Sequence, residues 1–156
     1  MSANKKRNIS VRLNASDLKK LKDIAKRLQV RESDVFRFAV RTTLAKLGPF
    51  HDLNNSGADL LPVFLDHGKD LTNYFNIDVS LLDEIFNNGI DNPSKRIARE
   101  DIEMIIMAET NENYVVLKLQ ERSGKITEAQ TLLETLKMYL CEKYIMQAEK
   151  EIPAQA

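Results

Sequence analysis

Polar side chains that can hydrogen-bond to nucleic-acid bases occupy alternate positions near the start of the chain. The sequence RNISVRL covers residues 7–13, and its base-contacting candidates are Asn8, Ser10 and Arg12. The residues between them are apolar, so a period of two would place the polar and apolar sets on opposite faces of a strand. Arg12 can donate two hydrogen bonds to guanine, and Asn8 can pair with adenine. The spacing therefore predicts a base-contacting face.

The predicted strand at residues 7–13 needs a second strand. A lone strand leaves its backbone N–H and C=O groups without hydrogen-bond partners, and the residues that follow have a helical pattern. We therefore expect the same segment of a second copy of the chain to pair with it. An antiparallel two-stranded β-ribbon of this kind fits the major groove of B-DNA and would present the polar face twice.

Two helices are predicted after this strand. Asn14 is a good N-cap for the first, which runs to about Leu28 with an apolar stripe on one side. The second is predicted at 33–47 and ends at a Gly-Pro pair. Its apolar residues are too many for one face, which predicts burial nearly all round. A domain of about 45 residues cannot supply that burial alone, which is a second argument for a homodimer.

Lysine and arginine are concentrated at the start of the chain. Up to Leu47 there are thirteen Lys and Arg against four Asp and Glu; from Gly48 onward there are ten against nineteen, and the whole chain has a net charge of zero. This asymmetry indicates a nucleic-acid-binding part joined to a different part. We expect Lys5, Lys6 and Arg7 to contact phosphates.

The order strand, helix, turn, helix in residues 5–47 resembles the ribbon-helix-helix family of bacterial DNA-binding proteins, to which the methionine and Arc repressors belong. The resemblance rests on the alternation NISVRL, the cap at Asn14, the stripe LxxLxxIAxxL and the sequence SDVFRFAV that opens the second helix. It implies an intertwined dimer in which Asn8, Ser10 and Arg12 read bases in the major groove.

The same resemblance implies a phosphate-binding position at the start of the second helix. In this chain the position corresponds to Arg31, Glu32 and Ser33, of which Arg31 and Ser33 are the expected phosphate contacts. Many family members have Gly in the turn before that helix, whereas this chain has Gln29 or Val30 there. The acidic side chain of Glu32 is a further departure beside the expected phosphate.

Three regions follow from these patterns. Residues 1–48 are predicted to form the DNA-binding domain, 49–58 a polar linker, and 59–156 an acidic second domain. The second domain is expected to serve in oligomerisation or to receive a protein or small-ligand partner.

The second domain is predicted to be mostly helical, so the expected fold class is mainly α. Its first helix is predicted to break or bend near Gly68. Two runs of residues with high β-propensity within 102–119 favour a short β-hairpin. A capping box at Thr127 and Gln130 predicts a long final helix that ends near Glu149.

Residues with the spacing of a catalytic or metal site are not found in the sequence. His51, His67 and Cys141 are isolated, whereas a metal site needs clustered ligands. The glycines form no phosphate-binding loop. We therefore expect no enzyme activity, metal or cofactor. The basic cluster of the second domain is either a solvated loop or a site for an anionic ligand; it consists of Lys95, Arg96 and Arg99.

The sequence favours a sequence-specific DNA-binding transcriptional regulator, such as a repressor, that acts as a homodimer on double-stranded DNA. A tetramer on DNA is compatible with this reading. One alternative is an antitoxin that represses its own operon, although the second domain looks folded without a toxin. Another is a protein-interaction module, which leaves the polar face of residues 7–13 unexplained.

The expected location is the cytoplasm, in association with the nucleoid. A single cysteine fits a reducing compartment. No apolar run approaches the roughly 18 residues of a membrane span, and the basic N-terminus lacks the apolar core of a secretory signal. We therefore expect no membrane partner.

Overall fold

The computed structural model describes residues 6–124 and 131–150, and the chain divides into two compact units, Met1–Lys46 and Leu47–Ala156. All regular secondary structure in the described residues is helical. The expected fold class, mainly α with a ribbon strand and a hairpin, is therefore wrong in its β elements, since the described residues contain no strand.

The first unit contains two helices, α1 (Ala15–Leu28) and α2 (Glu32–Lys46). As predicted, the Asn14 side chain caps α1 by accepting the backbone N–H of Asp17 at 2.7 Å. Gln29 ends α1 in the left-handed conformation, with φ at 55°. The two helices pack against each other within the unit.

Residues 6–14, where the sequence predicts the ribbon strand, have no regular secondary structure. A strand exists only through backbone hydrogen bonds to another strand, and no described segment of the chain pairs with this one. The alternation of polar and apolar residues is thus present without the strand that it predicts. As a result, the Ile9 side chain is 86% exposed.

The second unit is an assembly of helices around α6. The helices are α3 (Gly48–His51), α4 (Leu61–Phe75), α5 (Val79–Asn87), α6 (Arg99–Met107), α7 (Glu112–Ser123), α8 (Leu132–Leu140) and α9 (Gln147–Lys150). Short 3₁₀ turns at Gly57–Asp59 and Pro93–Lys95 precede α4 and α6, and a π-helical turn at Cys141–Met146 joins α8 to α9.

The core of the second unit forms where α6 packs against α4, α5, α7 and α8. The rings of Phe64 and Phe86 meet edge to face, with centroids 5.1 Å apart. Fully buried aliphatic side chains surround them, among them Leu61, Leu82, Ile102, Met104, Val115, Leu119 and Leu140. The unit therefore buries a continuous apolar core within one chain.

α6 and α7 occupy the segment where the sequence predicts a β-hairpin, so that prediction is wrong. Because α6 is surrounded by other helices, apolar residues occur on most of its sides and its 3.6-residue period is obscured. The polar run between the two helices contains the cap of α7, since Asn111 accepts the backbone N–H of Tyr114 at 3.2 Å. The Tyr114 hydroxyl then donates to Glu103 at 3.0 Å and ties α7 to α6.

Two further predictions concern helix ends. α4 continues through Gly68, where the sequence predicts a break, because one interior glycine costs only about 1 kcal/mol and the burial of Phe64 and Leu65 outweighs it. The predicted capping box at Thr127 and Gln130 lies outside the described residues. In the described chain, a capping box of Thr131 and Glu134 begins α8.

No helix in the described part of the chain combines the length and the apolar composition needed to cross a membrane.

Candidate functional site

The predicted base-contacting side chains lie in the irregular segment before α1. Asn8, Ser10 and Arg12 are exposed, and none of them forms a hydrogen bond or ion pair with another described residue. Their donors and acceptors are therefore available to a partner molecule. The predicted phosphate contacts Lys6 and Arg7 lie in the same exposed segment, whereas Lys5 lies outside the described residues.

Most cations of the first unit are not neutralised within the unit. Asp34 accepts ion pairs from Arg31 and Arg37, at 3.0 and 2.9 Å, and Asp17 lies 3.9 Å from Lys20. Within residues 6–46, the cations without an ion-pair partner in the described chain are Lys6, Arg7, Arg12, Lys19, Lys22, Lys26, Arg27, Arg41 and Lys46. This surplus of positive charge can attract a polyanion.

The predicted phosphate contacts Arg31 and Ser33 flank the first residue of α2. The Asp34 carboxylate accepts the backbone N–H of Arg31 at 3.3 Å and a guanidinium N–H at 3.2 Å. These hydrogen bonds raise the pKa of Arg31 and lower the pKa of Asp34. A phosphate would compete with Asp34 for Arg31, whereas Ser33 is exposed and has no hydrogen-bond partner among the described residues.

The first unit leaves much apolar surface uncovered. Among its described residues Ala25 alone is buried, and α2 buries none. Phe38, on α2, is 71% exposed. The other large exposed apolar side chains of the unit are Ile9, Val11, Leu13, Leu18, Ile24, Leu28, Val30, Val40 and Leu44. Apolar exposure on this scale is unusual for a monomeric domain and marks a candidate interaction surface.

The second unit contains a buried charge cluster that the sequence did not predict. The carboxylate of Asp101 is fully buried. It accepts hydrogen bonds from Arg122 at 2.8 Å, Lys143 at 2.5 Å and the Tyr139 hydroxyl at 3.1 Å, and a fourth from the Tyr144 hydroxyl. These five residues are called the Asp101 cluster below. Four donors saturate the carboxylate, whose two oxygens offer about four acceptor positions.

Three separate helical segments bring the Asp101 cluster together. Asp101 lies in the first turn of α6, and Arg122 lies in the last turn of α7. Tyr139 and Lys143 are four residues apart and share one face of the last helical run. Tyr144 would lie about 100° further round a regular α-helix, but the wider π-helical turn lets it reach Asp101 as well.

The surroundings of the Asp101 cluster shift three pKa values upward. Burial raises the pKa of the Tyr144 hydroxyl to about 12, and its hydrogen bond to Asp101 adds to the effect. Burial opposes the charge on Lys143, but its hydrogen bonds to Asp101 and Tyr139 outweigh burial and raise its pKa. The pKa of Arg122 is raised by its hydrogen bond with Tyr139 and by the charge of Asp101. The hydrogen bonds of the cluster join three helical segments, so the cluster acts as a structural tie between them.

The basic residues Lys95, Arg96 and Arg99, considered as one anion site from the sequence, do not converge. Lys95 lines a groove beside the Asp101 cluster, and Arg96 lines a separate cavity of 410 Å³. Arg99 lies 3.7 Å from the Glu103 carboxylate. Over residues 6–124 and 131–150, no three His, Cys, Asp or Glu side chains are placed to hold a metal ion.

Comparison with known proteins finds no relative of this chain. No protein-family model matches the chain, and neither a curated protein nor a solved structure shows significant similarity to it.

Removing the Asp101 carboxylate should destabilise the second unit. Asp101→Ala leaves Arg122 and Lys143 without their shared partner, which should lower the free energy of unfolding by about 3 kcal/mol. Asp66→Ala is the matched control, because the exposed Asp66 pairs with Lys137 at 3.5 Å and its loss should cost less than about 1 kcal/mol. Urea unfolding of both full-length variants, followed by circular dichroism, measures the difference. Equal losses would contradict a structural role for the cluster.

Stability should fall at alkaline pH because of Tyr144. Since folding raises the pKa of its hydroxyl from the ordinary value of 10 to about 12, the stabilising contribution is full below about pH 10 and is lost as pH rises toward 12. Lys143, whose pKa is also raised, acts in the same direction. Urea unfolding at stepped pH should show a steeper alkaline loss for the parent chain than for Tyr144→Phe, which has no hydroxyl to ionise. Parallel curves would show that Tyr144 does not contribute.

Proposed function

We propose that this protein is a sequence-specific DNA-binding transcriptional regulator that acts as a homodimer and contacts DNA through its first unit. The observation that carries the proposal is the set of unpaired cations in residues 6–46 beside exposed side chains that can read base edges. Neutralising phosphates releases counterions from DNA, which favours binding. From Gly48 onward, acidic residues outnumber basic ones nineteen to ten, so the rest of the chain is a poor surface for phosphate.

Specificity is assigned to the segment before α1. Arg12 is suited to guanine and Asn8 to adenine, while Ser10 can donate to or accept from either base. Lys6 and Arg7, with Lys5 before them, would contact the phosphates beside these bases. These contacts are not assigned to a ribbon strand, because the described residues contain no strand.

A homodimer accounts for the apolar surface of the first unit. A second copy would have to contact α2 on more than one side to cover Phe38, Val40 and Leu44, which are more than half exposed in one chain. Phe38 lies about 160° round the helix from Val40. The dimer would also double the positive charge that faces DNA and would match two half-sites of a palindromic operator.

The structure of the second unit bears on the alternative function, an antitoxin that represses its own operon. The toxin-binding part of such a protein is usually a short segment that folds only on its partner. Here Leu82, Phe86 and Ile102 belong to a core that is fully buried within one chain. A unit that folds alone favours a stand-alone regulator whose second unit assembles subunits or receives a signal. Because the proposed partner is DNA, the proposed location is the cytoplasm, in association with the nucleoid.

A charge placed on the exposed face of α2 should disrupt the dimer. Phe38→Glu would bury a carboxylate against the second copy, so we expect a monomer in sedimentation velocity and loss of DNA binding. Leu53→Glu is the control, because Leu53 is 96% exposed but belongs to the second unit. Circular dichroism checks that the second unit stays folded in both variants. A Phe38→Glu protein that remains dimeric would show that α2 does not form the interface.

Replacing Arg12 separates base reading from charge attraction. Arg12→Ala should lose about 1–3 kcal/mol per base contact on an operator selected from random DNA by the parent protein. Lys6→Ala is the comparison, because losing a phosphate contact should weaken binding to all sequences alike and reduce the salt slope by about 1. Affinities for the operator and for scrambled DNA, titrated at several salt concentrations, measure both effects. An unchanged ratio of the two affinities in Arg12→Ala would exclude Arg12 as a base reader.

A further inference from the structure

A polar groove of 630 Å³ lies beside the Asp101 cluster in the second unit. Ser56 and Asp59 line it from the turn before α4, Lys95 from the loop before α6, and Lys143 and Tyr144 from the last helical run. Its volume falls within the range of about 300–1,000 Å³ that is usual for small-molecule sites. All the residues that line the groove belong to the second unit.

The walls of this groove are held in place by contacts outside it. Gly57 has φ at 55°, and a side chain there would lie 3.0 Å from the Lys95 carbonyl oxygen, so two of the walls touch at this glycine. The buried Asn87 side chain bonds both the N–H and the carbonyl of Ile97, at 2.8 and 2.9 Å, and holds the end of the Lys95 loop. The Asp101 cluster fixes the third wall, because Lys143 and Tyr144 belong to both.

Two ammonium groups on the groove have hydrogen-bonding capacity to spare. Lys143 uses two of its three N–H groups, on Asp101 at 2.5 Å and on the Tyr139 hydroxyl at 3.2 Å, and the third has no partner among the described residues. Lys95 is exposed and has no ion-pair partner in the described chain. Lys95 and Lys143 line the same groove.

The groove also presents an acceptor. The Asp59 carboxylate accepts the backbone N–H of Ser56 at 3.4 Å and keeps further lone pairs for another donor. A bare anion would be repelled by Asp59, whereas an anion that carries hydroxyl groups could donate hydrogen bonds to it. The hydroxyl of Ser56 can bond such a ligand as well.

We propose that this groove binds a small hydroxylated anion, a sugar phosphate or a sugar acid. The phosphate or carboxylate accepts hydrogen bonds from Lys95 and Lys143, and the ligand hydroxyls donate to Asp59. The ligand contacts both the Lys95 loop and the last helical run. Its binding is coupled to α6 and α7 because Lys143 also belongs to the Asp101 cluster.

Isothermal titration calorimetry on the full-length chain tests the site with ribose 5-phosphate, gluconate and neutral ribose as probes. At least one of the two anions should bind with a Kd of about 1 mM or lower, and ribose should not bind. Binding of ribose 5-phosphate alone identifies a phosphate ligand, and binding of gluconate alone identifies a carboxylate. Absence of binding by both anions at about 10 mM would overturn the proposal.

Neighbouring basic residues supply the matched variants. Lys95→Ala should weaken binding about tenfold, as expected for the loss of one charge-assisted contact, whereas Arg96→Ala should leave it unchanged because Arg96 lines the other cavity. Asp59→Ala should weaken the binding of ribose 5-phosphate relative to that of inorganic phosphate, because it removes the acceptor for the ligand hydroxyls, whereas the lost repulsion affects both ligands alike. Circular dichroism confirms that the variants fold. Equal affinities for Lys95→Ala and Arg96→Ala would overturn the proposal of a ligand site. Neither result tests the proposed DNA-binding function, which rests on residues of the first unit.

Discussion

The buried carboxylate of Asp101 is the constraint on which the arrangement of the second unit depends. A charge removed from water is tolerated only when hydrogen-bond donors replace the water. Asp101 obtains those donors from the end of α7 and from the last helical run, so neither segment can move without leaving the carboxylate unpaired. The Tyr144 hydroxyl also accepts the backbone N–H of Ala98 at 3.0 Å, and this extends the tie to the start of α6.

The two units solve the problem of apolar burial in different ways. The second unit surrounds α6 with other helices and satisfies its apolar residues within one chain. The first unit has two packed helices and buries little beyond Ala25. Its folded state is therefore linked to whatever covers that surface, and its stability should depend on protein concentration if the cover is a second copy. The proposed DNA-binding homodimer rests on this combination of exposed apolar side chains and of cations without ion-pair partners in residues 6–46.

The charges of the chain follow the same division. Cations without partners collect in the first unit, whereas in the second unit cations such as Lys69 and Arg122 pair with carboxylates, Lys69 with Glu109 at 2.7 Å. Pairing converts positive charge into structural contacts, and unpaired charge remains available for a ligand. Lys143, which lines the groove beside the Asp101 cluster, has both roles. It pairs with Asp101 and keeps one N–H group for a ligand.

The sequence determined the features that depend on neighbouring residues. Asn14 caps α1 where the sequence predicts a cap, because capping is a contact between residues three apart. The charge asymmetry follows from composition alone. Tertiary structure decided the rest. The run at residues 7–13 lacks a strand because pairing requires a second segment, and α6 with α7 replaces a hairpin because the surroundings of α6 hide its period. The Asp101 cluster joins residues up to 43 positions apart, and no local pattern records a contact made only when the helices pack.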